Sequence, residues 1–192
     1  MDVKRCWGEK DDLSRAYHDN EWGTPVHDDQ VLFEFIILEG AQAGLNWNTI
    51  LNKRENYGKA LDGFDFNKVA KYGEKDIERL LNDAGIVRNK LKVRSAVQNA
   101  QAFIAIRKEF GSFNKYLWAF VDNKPINNGF KTWKEVPAKT ELSDKISKDL
   151  KKRRMNFVGN TIIYAFMQAV GLVNDHLISC FKYEEITSKN VD

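Results

Sequence analysis

Two cysteines and three histidines are the soft or borderline metal ligands in this chain of 192 residues. His176 and Cys180 are four residues apart, so on a helix they would share one face. Cys6 and His18 lie near the other end of the chain, and two ligands from each end would form a tetrahedral zinc site joining the termini. The usual C-x-x-C spacing is missing, so unrelated buried thiols and surface histidines are an alternative. His27 precedes two aspartates in a polar helix start, and we expect it to be exposed or capping.

A carboxylate falls on an apolar stripe in the segment 31–39. Leu32, Phe35 and Ile36 precede Glu39 by seven, four and three residues, so all four share one helical face. A carboxylate on a core-facing stripe is costly unless it is hydrogen-bonded or paired. The pattern leaves two possibilities: a structural acid bonded to a neighbouring group, or an acid that lines a pocket. Functional sites are where carboxylates are placed in such surroundings.

Aromatic residues are dense around this acid in the sequence. Most aromatic side chains belong to a core, which is the ordinary explanation for each of them alone. They could instead surround a flat ligand near the acid. The four aromatics in the first quarter of the chain are Trp7, Tyr17, Trp22 and Trp47.

The segment EGAQAGLNW, residues 39–47, places glycines and alanines between the carboxylate and a tryptophan. Such a turn lets the backbone approach a flat molecule closely. Leu45 stands between Gly44 and Asn46, where it could be an exposed apolar tip. A leucine on such a turn can act as a wedge between bases, or it can be an ordinary packing residue.

The segment LLNDAGIVRNKLKVRSA, residues 80–96, predicts a helix, a short turn and a basic helix. Gly85 is expected to end the first helix as a left-handed C-cap. A helix-hairpin-helix holds DNA backbone with the amides of such a turn and with the next helix's N-terminus. Arg88, Lys90 and Lys92 would add positive charge, although the pattern taken alone is more typical of an ordinary helical hairpin.

Helical periodicity dominates the elements that must position these residues. No alternating run has hairpin turn chemistry at both ends, and residues 122–140 read as an irregular connection. We therefore predict an all-α fold with about eight helices, built as one unit or as two lobes sharing a cleft. The predicted helices are Val31–Glu39 behind Asp28 and Asp29, Trp47–Tyr57, a short helix capped by Asp65, Asp76–Ala84, Asn89–Phe110, a helix capped by Ser112, a helix capped by Ser143, and Thr161–Val170.

Composition places the chain among globular proteins, since 43% of its residues are hydrophobic and 30% are charged. We expect one domain over residues 1–192, with a disordered tail over about 183–192. The net charge of +3 does not indicate a nucleic-acid partner, and basic runs at 88–94 and 148–154 are typical of solvated helix faces. The longest apolar run is too short for a membrane span, and the N-terminus has no secretory signal. These features predict a cytoplasmic protein.

Four motifs together resemble one family. They are YHDNEWG at 17–23, LEGAQAGLNW at 38–47, KKRRMNFVG at 151–159 and GLVNDH at 171–176, followed by Cys180. In this order they resemble the constitutive, Tag-type 3-methyladenine DNA glycosylases I. The resemblance spans nearly the whole chain, from Cys6 to Cys180. It implies the helix-hairpin-helix DNA glycosylase fold, with an active-site cleft and a hairpin at about residues 76–100.

The resemblance also implies roles for particular residues. A structural zinc would be bound by Cys6, His18, His176 and Cys180, all of which are present. The base pocket would hold Glu39 and Tyr17 as catalytic residues that also bind the base, with Trp47, Trp7 and Trp22 around it. The DNA-binding residues would be Leu45, Gly85, Arg88 and Lys90. Asn46 stands where members of the family commonly carry serine, so differences in base selectivity or turn geometry are expected there.

The activity implied is hydrolytic excision of N3-methyladenine from alkylated double-stranded DNA by a monomer that flips the base out. The family lacks the aspartate that is catalytic in other glycosylases of this fold, and no lysine nucleophile is implied. We therefore expect base removal without strand cleavage. The alternative is a non-enzymatic, zinc-stapled helical module that only binds DNA.

Overall fold

A computed structural model describes residues 3–189 of the chain. Within that range the structure is mostly helical, which confirms the all-α prediction in its coarse form. The helices are α1 Asp12–Asn20, α2 Asp29–Gln42, α3 Trp47–Leu51, α4 Arg54–Ala60, α5 Phe66–Val69, α6 Glu74–Asn82, α7 Lys90–Phe110, α8 Phe113–Trp118, α9 Glu141–Lys152, α10 Asn160–Ala169 and α11 Phe181–Lys189, with short 3-10 helices at Asp62–Phe64 and Ala119–Val121.

Several predicted helix boundaries follow from local capping chemistry. The side chain of Asp28 accepts hydrogen bonds from the amides of Gln30 and Val31, which starts α2 where the sequence placed a cap. Gly111 ends α7 with a φ of 86°, a conformation that glycine adopts without strain. The predicted caps that the structure confirms are Asp28, Asp65 and Ser112. Asn89, predicted as the first residue of its helix, is the N-cap of α7.

Other predicted boundaries are wrong for local reasons. The single helix predicted over Trp47–Tyr57 is two helices, since α3 ends at Leu51 and α4 begins at Arg54. Ser143 does not begin α9. Thr140 is its N-cap, and Ser143 is the third helical residue of a reciprocal capping box.

The C-cap predicted at Gly85 is also wrong. Helix α6 ends at Asn82, and Asp83 continues in extended backbone with φ −81° and ψ 107°. The Asp83 side chain accepts a hydrogen bond from the Gly85 amide at 2.7 Å, and Gly85 has no positive φ. A Cβ at Gly85 would lie 3.0 Å from Asn56, so close packing explains the glycine.

The structure contains one strand pairing in the range 3–189, which periodicity could not reveal because each strand has two residues. Strand β1 (Ile126–Asn127) lies parallel to β2 (Val173–Asn174), with Ile126 opposite Val173. This pairing ties the irregular connection at 122–140 to the segment that carries His176.

The expected disordered tail is incorrect for most of its length. The chain forms α11 over Phe181–Lys189, and Ile186 is only 3% exposed. Because a helix this short and polar gains its stability from tertiary packing, its periodicity gave little signal. The rest of the expected tail, 190–192, lies outside the described residues.

Helix α2 is the central helix of the fold. It packs against α3, α7, α8 and α10, and nine of its fourteen residues are buried, which explains why its sequence is apolar on nearly every side. Glu39 lies in its last turn, so the position of this largely buried helix places the acid in the interior. None of the helices between residues 3 and 189 is long and apolar enough to cross a membrane.

Candidate functional site

A cavity of about 290 Å³ lies beside the C-terminal end of α2. This volume is near the lower end of the range for small-molecule sites, about 300–1,000 Å³. All five residues that the sequence assigned to a base pocket line it, together with four others. The lining residues are Trp7, Tyr17, Trp22, Glu39, Gln42, Trp47, Trp133, Ala165 and Gln168.

Hydrogen bonds between α1 and the start of α3 bring Tyr17 and Trp47 together. Asn48 accepts from the Ser14 hydroxyl at 2.7 Å, and its amide nitrogen donates to the Asp11 carboxylate at 2.8 Å. The rings of Tyr17 and Trp47 then lie 5.2 Å apart between centroids. Two polar residues in α1's first turn thus orient one wall of the cavity.

Three polar atoms in this wall are buried without a hydrogen-bond partner in the range 3–189. They are the indole nitrogens of Trp7 and Trp47 and the hydroxyl of Tyr17. A buried unpaired donor costs about 1–3 kcal/mol, so native structures rarely leave one without a reason. Three of them around one cavity indicate an occupant that can accept hydrogen bonds, and the aromatic rings that line the cavity favour a flat one.

Glu39 is the acid of the cavity, and it is 4% exposed. Burial raises the pKa of its carboxyl to about 8. With the Gln42 amide nitrogen facing Glu39, that nitrogen donates to Oε2 of Glu39 at 2.9 Å, and the amide oxygen accepts from the Trp47 backbone N–H at 3.3 Å. This donor favours the carboxylate, and it leaves Oε1 of Glu39 for an occupant.

Tyr17 faces the same cavity as a neutral phenol. Burial raises its pKa well above the usual value, and the nearby charge of Glu39 adds to that effect. Its hydroxyl therefore keeps its proton and can donate a hydrogen bond. Tyr17 is suited to binding and polarising an acceptor atom rather than to acting as a base.

The four predicted metal ligands come together at one point. The sulfur atoms of Cys6 and Cys180 each lie 3.4 Å from Nε2 of His18 and 3.5 Å from Nδ1 of His176, and all four atoms lie within 4.8 Å of one another. A tetrahedral zinc with bonds of about 2.3 Å to sulfur and about 2.0 Å to nitrogen would separate such atoms by about 3.6 Å. The donor set and its spacing therefore fit zinc.

The second nitrogen of each histidine is also engaged, as is usual for metal-binding imidazoles. Nδ1 of His18 lies 2.7 Å from the Asp19 carboxylate, which is itself held by the Arg5 guanidinium. Nε2 of His176 donates to the Trp22 carbonyl at 2.9 Å. These bonds direct the remaining nitrogen of each ring toward the thiols. His27 takes no part in this group, and its Nδ1 contacts the Asn114 side chain instead.

The predicted DNA-binding residues lie on two neighbouring turns. Leu45 is 43% exposed after Gly44, whose φ of 76° turns the chain there. Asn46 accepts from the Thr49 amide at 2.8 Å and so caps α3, which is a role that serine also fills.

On the turn between α6 and α7, Arg88 and Lys90 are exposed, and within the described range neither has an ion-pair partner, whereas Gly85 is half-buried. Lys92 is half-buried. Its ammonium donates to the carbonyls of Ala41 and Ala43 at 2.8 and 2.6 Å, which joins α7 to the end of α2.

Sequence reasoning missed four cavity residues. Gln42 lies three residues after Glu39, so helical spacing alone could have placed it beside the acid. Trp133, Ala165 and Gln168 come from distant segments, and no local pattern connects them to the cavity. Trp133 is held by a hydrogen bond from its indole N–H to the Cys6 carbonyl at 2.9 Å.

Solved structures of one class of enzyme are similar to this chain. A crystal structure of 3-methyladenine DNA glycosylase I (TAG) superposes with a TM-score of 0.90 at 47% identity, covering 93% of this chain and 98% of that one. A tyrosine-to-phenylalanine variant of a 3-methyladenine DNA glycosylase I, solved in complex with 3-methyladenine, also gives a TM-score of 0.90, at 35% identity over 93% of this chain and 96% of that one. The fold is therefore that of this class of helical glycosylase.

The family follows from the sequence match. The methyladenine glycosylase family model matches residues 7–183. DNA-3-methyladenine glycosylase 1 of Escherichia coli (strain K12) is 48% identical over 182 residues, which are 94% of this chain and 97% of that protein. The chain belongs to the methyladenine glycosylase family, and the enzyme class that the resemblance implied is confirmed.

Proposed function

We propose that this protein is a DNA repair glycosylase that hydrolytically excises N3-methyladenine from alkylated double-stranded DNA. The observation that carries the proposal is the set of three buried, unpartnered polar atoms on Trp7, Tyr17 and Trp47, which surround one cavity with Glu39. Support also comes from the Escherichia coli relative, which is named for this activity, and from the variant relative that binds 3-methyladenine.

Recognition of the base uses both charge and hydrogen bonding. Methylation at N3 leaves the adenine cationic, and an aromatic face favours a cation by about 0.5–2 kcal/mol. The neighbouring rings of Trp47 and Tyr17, whose centroids lie 5.2 Å apart, offer such faces on one wall of the cavity. Trp7 and Trp22 form further walls. Oε1 of Glu39 accepts from the exocyclic amino group, and its negative charge favours the cationic base over neutral bases.

The base leaves easily because its departure neutralises it. The C1′–N9 bond breaks, its electron pair stays on the base, and neutral 3-methyladenine forms without protonation. Water oxygen then bonds to C1′ and releases its proton to solvent. No lysine borders the cavity among the described residues, which supports a monofunctional reaction without strand cleavage.

The base reaches the cavity by leaving the DNA stack, as in other glycosylases. Leu45 fills the vacated space, since it is the exposed apolar tip of the turn next to Trp47. Lys92 fixes the start of that turn through the carbonyls of Ala41 and Ala43. The hydrogen bonds of Lys92 therefore hold Leu45 at a fixed position relative to the cavity.

DNA phosphates bind to two turns that flank Leu45. The first, between α6 and α7, carries Gly85, Arg88 and Lys90 and corresponds to the hairpin expected from the sequence. The second lies between α9 and α10. There the amides of Phe157, Val158 and Gly159 donate to no other described residue, and Arg154 is exposed. A Cβ at Gly40 would lie 3.2 Å from Phe157, so this turn also adjoins the end of α2.

Zinc is the metal that the donor set fits, with Cys6, His18, His176 and Cys180 as its ligands. When bound, it would supply structural stabilisation by joining the two ends of the chain. The monomeric state and the cytoplasmic location stay predictions from the sequence.

The test is base release from methylated duplex DNA, followed by chromatography of the supernatant. We expect 3-methyladenine to appear while 7-methylguanine remains in the DNA, with no strand cleavage. Release of both bases would keep the glycosylase and refute the selective pocket. An absence of release with intact DNA binding and zinc content would favour the non-enzymatic DNA-binding module.

Glu39→Gln is the decisive variant for the mechanism. Loss of a charge-assisted hydrogen bond predicts excision reduced by about 10- to 100-fold with the fold retained. The cationic base favours ionised Glu39, so kcat/KM of the unmodified enzyme should rise with pH up to about 8. The variant should lack this rise. Unchanged excision would mean that Glu39 is only a structural acid.

A further inference from the structure

Gln168 is a cavity residue that neither the motifs nor the proposed mechanism uses. It lies on α10 and is half-buried, with its side chain between the cavity and the buried Asp175. Its amide nitrogen donates to Oδ2 of Asp175 at 2.8 Å. A carboxylate oxygen accepts hydrogen bonds from N–H groups and cannot bond a carbonyl, so this contact fixes which end of the amide is oxygen.

Asp175 is a rigid anchor for that amide. It is fully buried, and it also accepts from the Tyr164 hydroxyl and the Asn128 amide, both at 2.6 Å. Three donors compensate the burial of its charge and leave the Gln168 amide little reason to rotate. Oε1 of Gln168 accepts no hydrogen bond from any residue in the range 3–189, so its acceptor capacity is available to an occupant.

We propose that Gln168 determines specificity by accepting a hydrogen bond from the exocyclic amino group of the bound adenine. This inference rests on the proposed function. With Oε1 of Glu39 on α2 and Oε1 of Gln168 on α10, the cavity presents two acceptors for the two hydrogens of that amino group. A guanine base carries a carbonyl oxygen at the same position, and two acceptors facing it leave its oxygen unpaired.

The experiment compares 3-methyladenine with 3-methylguanine, which has the same methylation site and a carbonyl in place of the amino group. Binding of each free base is followed by tryptophan fluorescence, and release of both from methylated DNA by chromatography. Gln168→Met keeps the side-chain length and removes the acceptor. Gln101→Met is the matched control, since Gln101 is an exposed glutamine on α7 that donates a hydrogen bond to the Ala70 carbonyl and does not line the cavity beside α2.

We expect Gln168→Met to weaken 3-methyladenine binding by about three- to tenfold, the usual effect of one lost neutral hydrogen bond, and to leave 3-methylguanine nearly unchanged. The release ratio of the two bases should fall by the same factor and metal content should stay constant, while Tm falls modestly because the buried Asp175 loses one of its three donors. Asp175→Asn should lower the ratio as well, because an asparagine amide can donate to Gln168 and allow its amide to turn over.

An unchanged ratio in Gln168→Met, or an equal loss for both bases, would overturn the inference. If Asp175→Asn does not fold, the release ratio of Gln168→Met against that of the unmodified enzyme decides whether the inference holds. The proposed function fails separately, if the unmodified enzyme releases no 3-methyladenine from DNA.

Discussion

The imidazole of His176 donates a hydrogen bond from Nε2 to the carbonyl oxygen of Trp22 at 2.9 Å. The two rings also pack edge to face, with centroids 4.5 Å apart. Nδ1 of His176 is thereby left for the metal group, while the Trp22 side chain lines the cavity. The candidate metal group and the cavity therefore share a wall, so we expect loss of a metal ligand to alter the cavity as well.

Cys180→Ser tests that coupling. If the four residues bind zinc as proposed, loss of one thiolate should abolish zinc binding and remove several kcal/mol of stability, which for a chain of this size lowers Tm by on the order of 10 °C. Because Trp22 loses its fixed partner, we also expect weaker free-base binding at temperatures where the variant is still folded. Metal content by atomic absorption, Tm by circular dichroism and base binding by fluorescence measure the three effects.

Ser179→Ala is the control for Cys180→Ser, since Ser179 is the exposed neighbour of the cysteine. It should retain zinc, Tm and base affinity. Normal melting and full zinc content in Cys180→Ser would show that the four ligands do not act as a staple. Lost zinc with unchanged base binding would show that the shared wall does not transmit the change.

The raised pKa of Glu39 predicts a pH-dependent stability. An acid whose pKa rises from about 4.5 in the unfolded chain to about 8 in the fold favours the folded state at low pH. That contribution is fully present below about pH 4.5 and is lost as the pH rises toward 8. Glu39→Gln removes the dependence, so above pH 8 it should be more stable than the parent by on the order of a few kcal/mol.

Urea unfolding of both proteins at pH 4.5 and pH 8.5 checks this expectation. The two free energies of unfolding should agree at the lower pH and diverge at the higher one. If the difference is the same at both pH values, Glu39 is ionised throughout that range in the folded protein. The hydrogen bond from the Gln42 amide would then stabilise the carboxylate enough to offset its burial.

Candidate functional residues could be predicted from the sequence where they depend on local spacing or on unusual residue types. A carboxylate three and four residues after apolar positions predicted that Glu39 is buried, and that follows from helical geometry alone. The candidate metal ligands were harder to predict, since His176 and Cys180 are separated by more than 150 residues from Cys6 and His18. Their type and number suggested a site, and only the fold brings them together.

The features that the sequence did not predict correctly have a different physical origin. Gln168 and Trp133 reach the cavity through tertiary packing, which no local periodicity encodes. Gly85 was assigned a left-handed conformation because glycine commonly ends helices, whereas here it allows close packing against Asn56. A glycine can serve either purpose, and the sequence alone does not distinguish conformational freedom from close approach.

Replacing Lys92 should impair activity on DNA without impairing binding of the free base. Its ammonium holds the carbonyls of Ala41 and Ala43, and burial lowers the pKa of that ammonium. Lys92→Met leaves the two carbonyls unbonded and the turn that carries Leu45 less ordered. We expect kcat/KM on methylated DNA to fall by about 10-fold, the value of a charge-assisted hydrogen bond, with free-base affinity changed little.

Lys108→Met is the matched control for Lys92→Met, because Lys108 is exposed in the last turn of the same helix. It should behave like the parent protein. Lys92→Arg should restore part of the activity if the bond to the carbonyls is what matters. Equal losses of DNA activity and free-base affinity in Lys92→Met would instead indicate general disruption of the cavity.

The salt dependence of DNA binding shows which turn binds phosphate. Each phosphate contact adds about 0.9 to the magnitude of the slope of log K against log salt concentration, so removal of one contacting side chain lowers that magnitude by about one. We expect this from Arg88→Ala and from Lys90→Ala, since both side chains are exposed beside the turn that ends at α7. Binding should weaken similarly for methylated and unmethylated duplexes, because phosphate contacts carry no base information.

Arg154→Ala provides the same measurement for the turn between α9 and α10, where the free amides of Phe157 and Val158 lie. Arg153 is the matched control, since its guanidinium is bonded to Glu109 and Asp149 and should contribute nothing to the slope. A slope that changes only with Arg154 would assign phosphate binding to the second turn and leave the first as an ordinary helical connection. A slope that changes with none of these residues would place the DNA on another face of the protein.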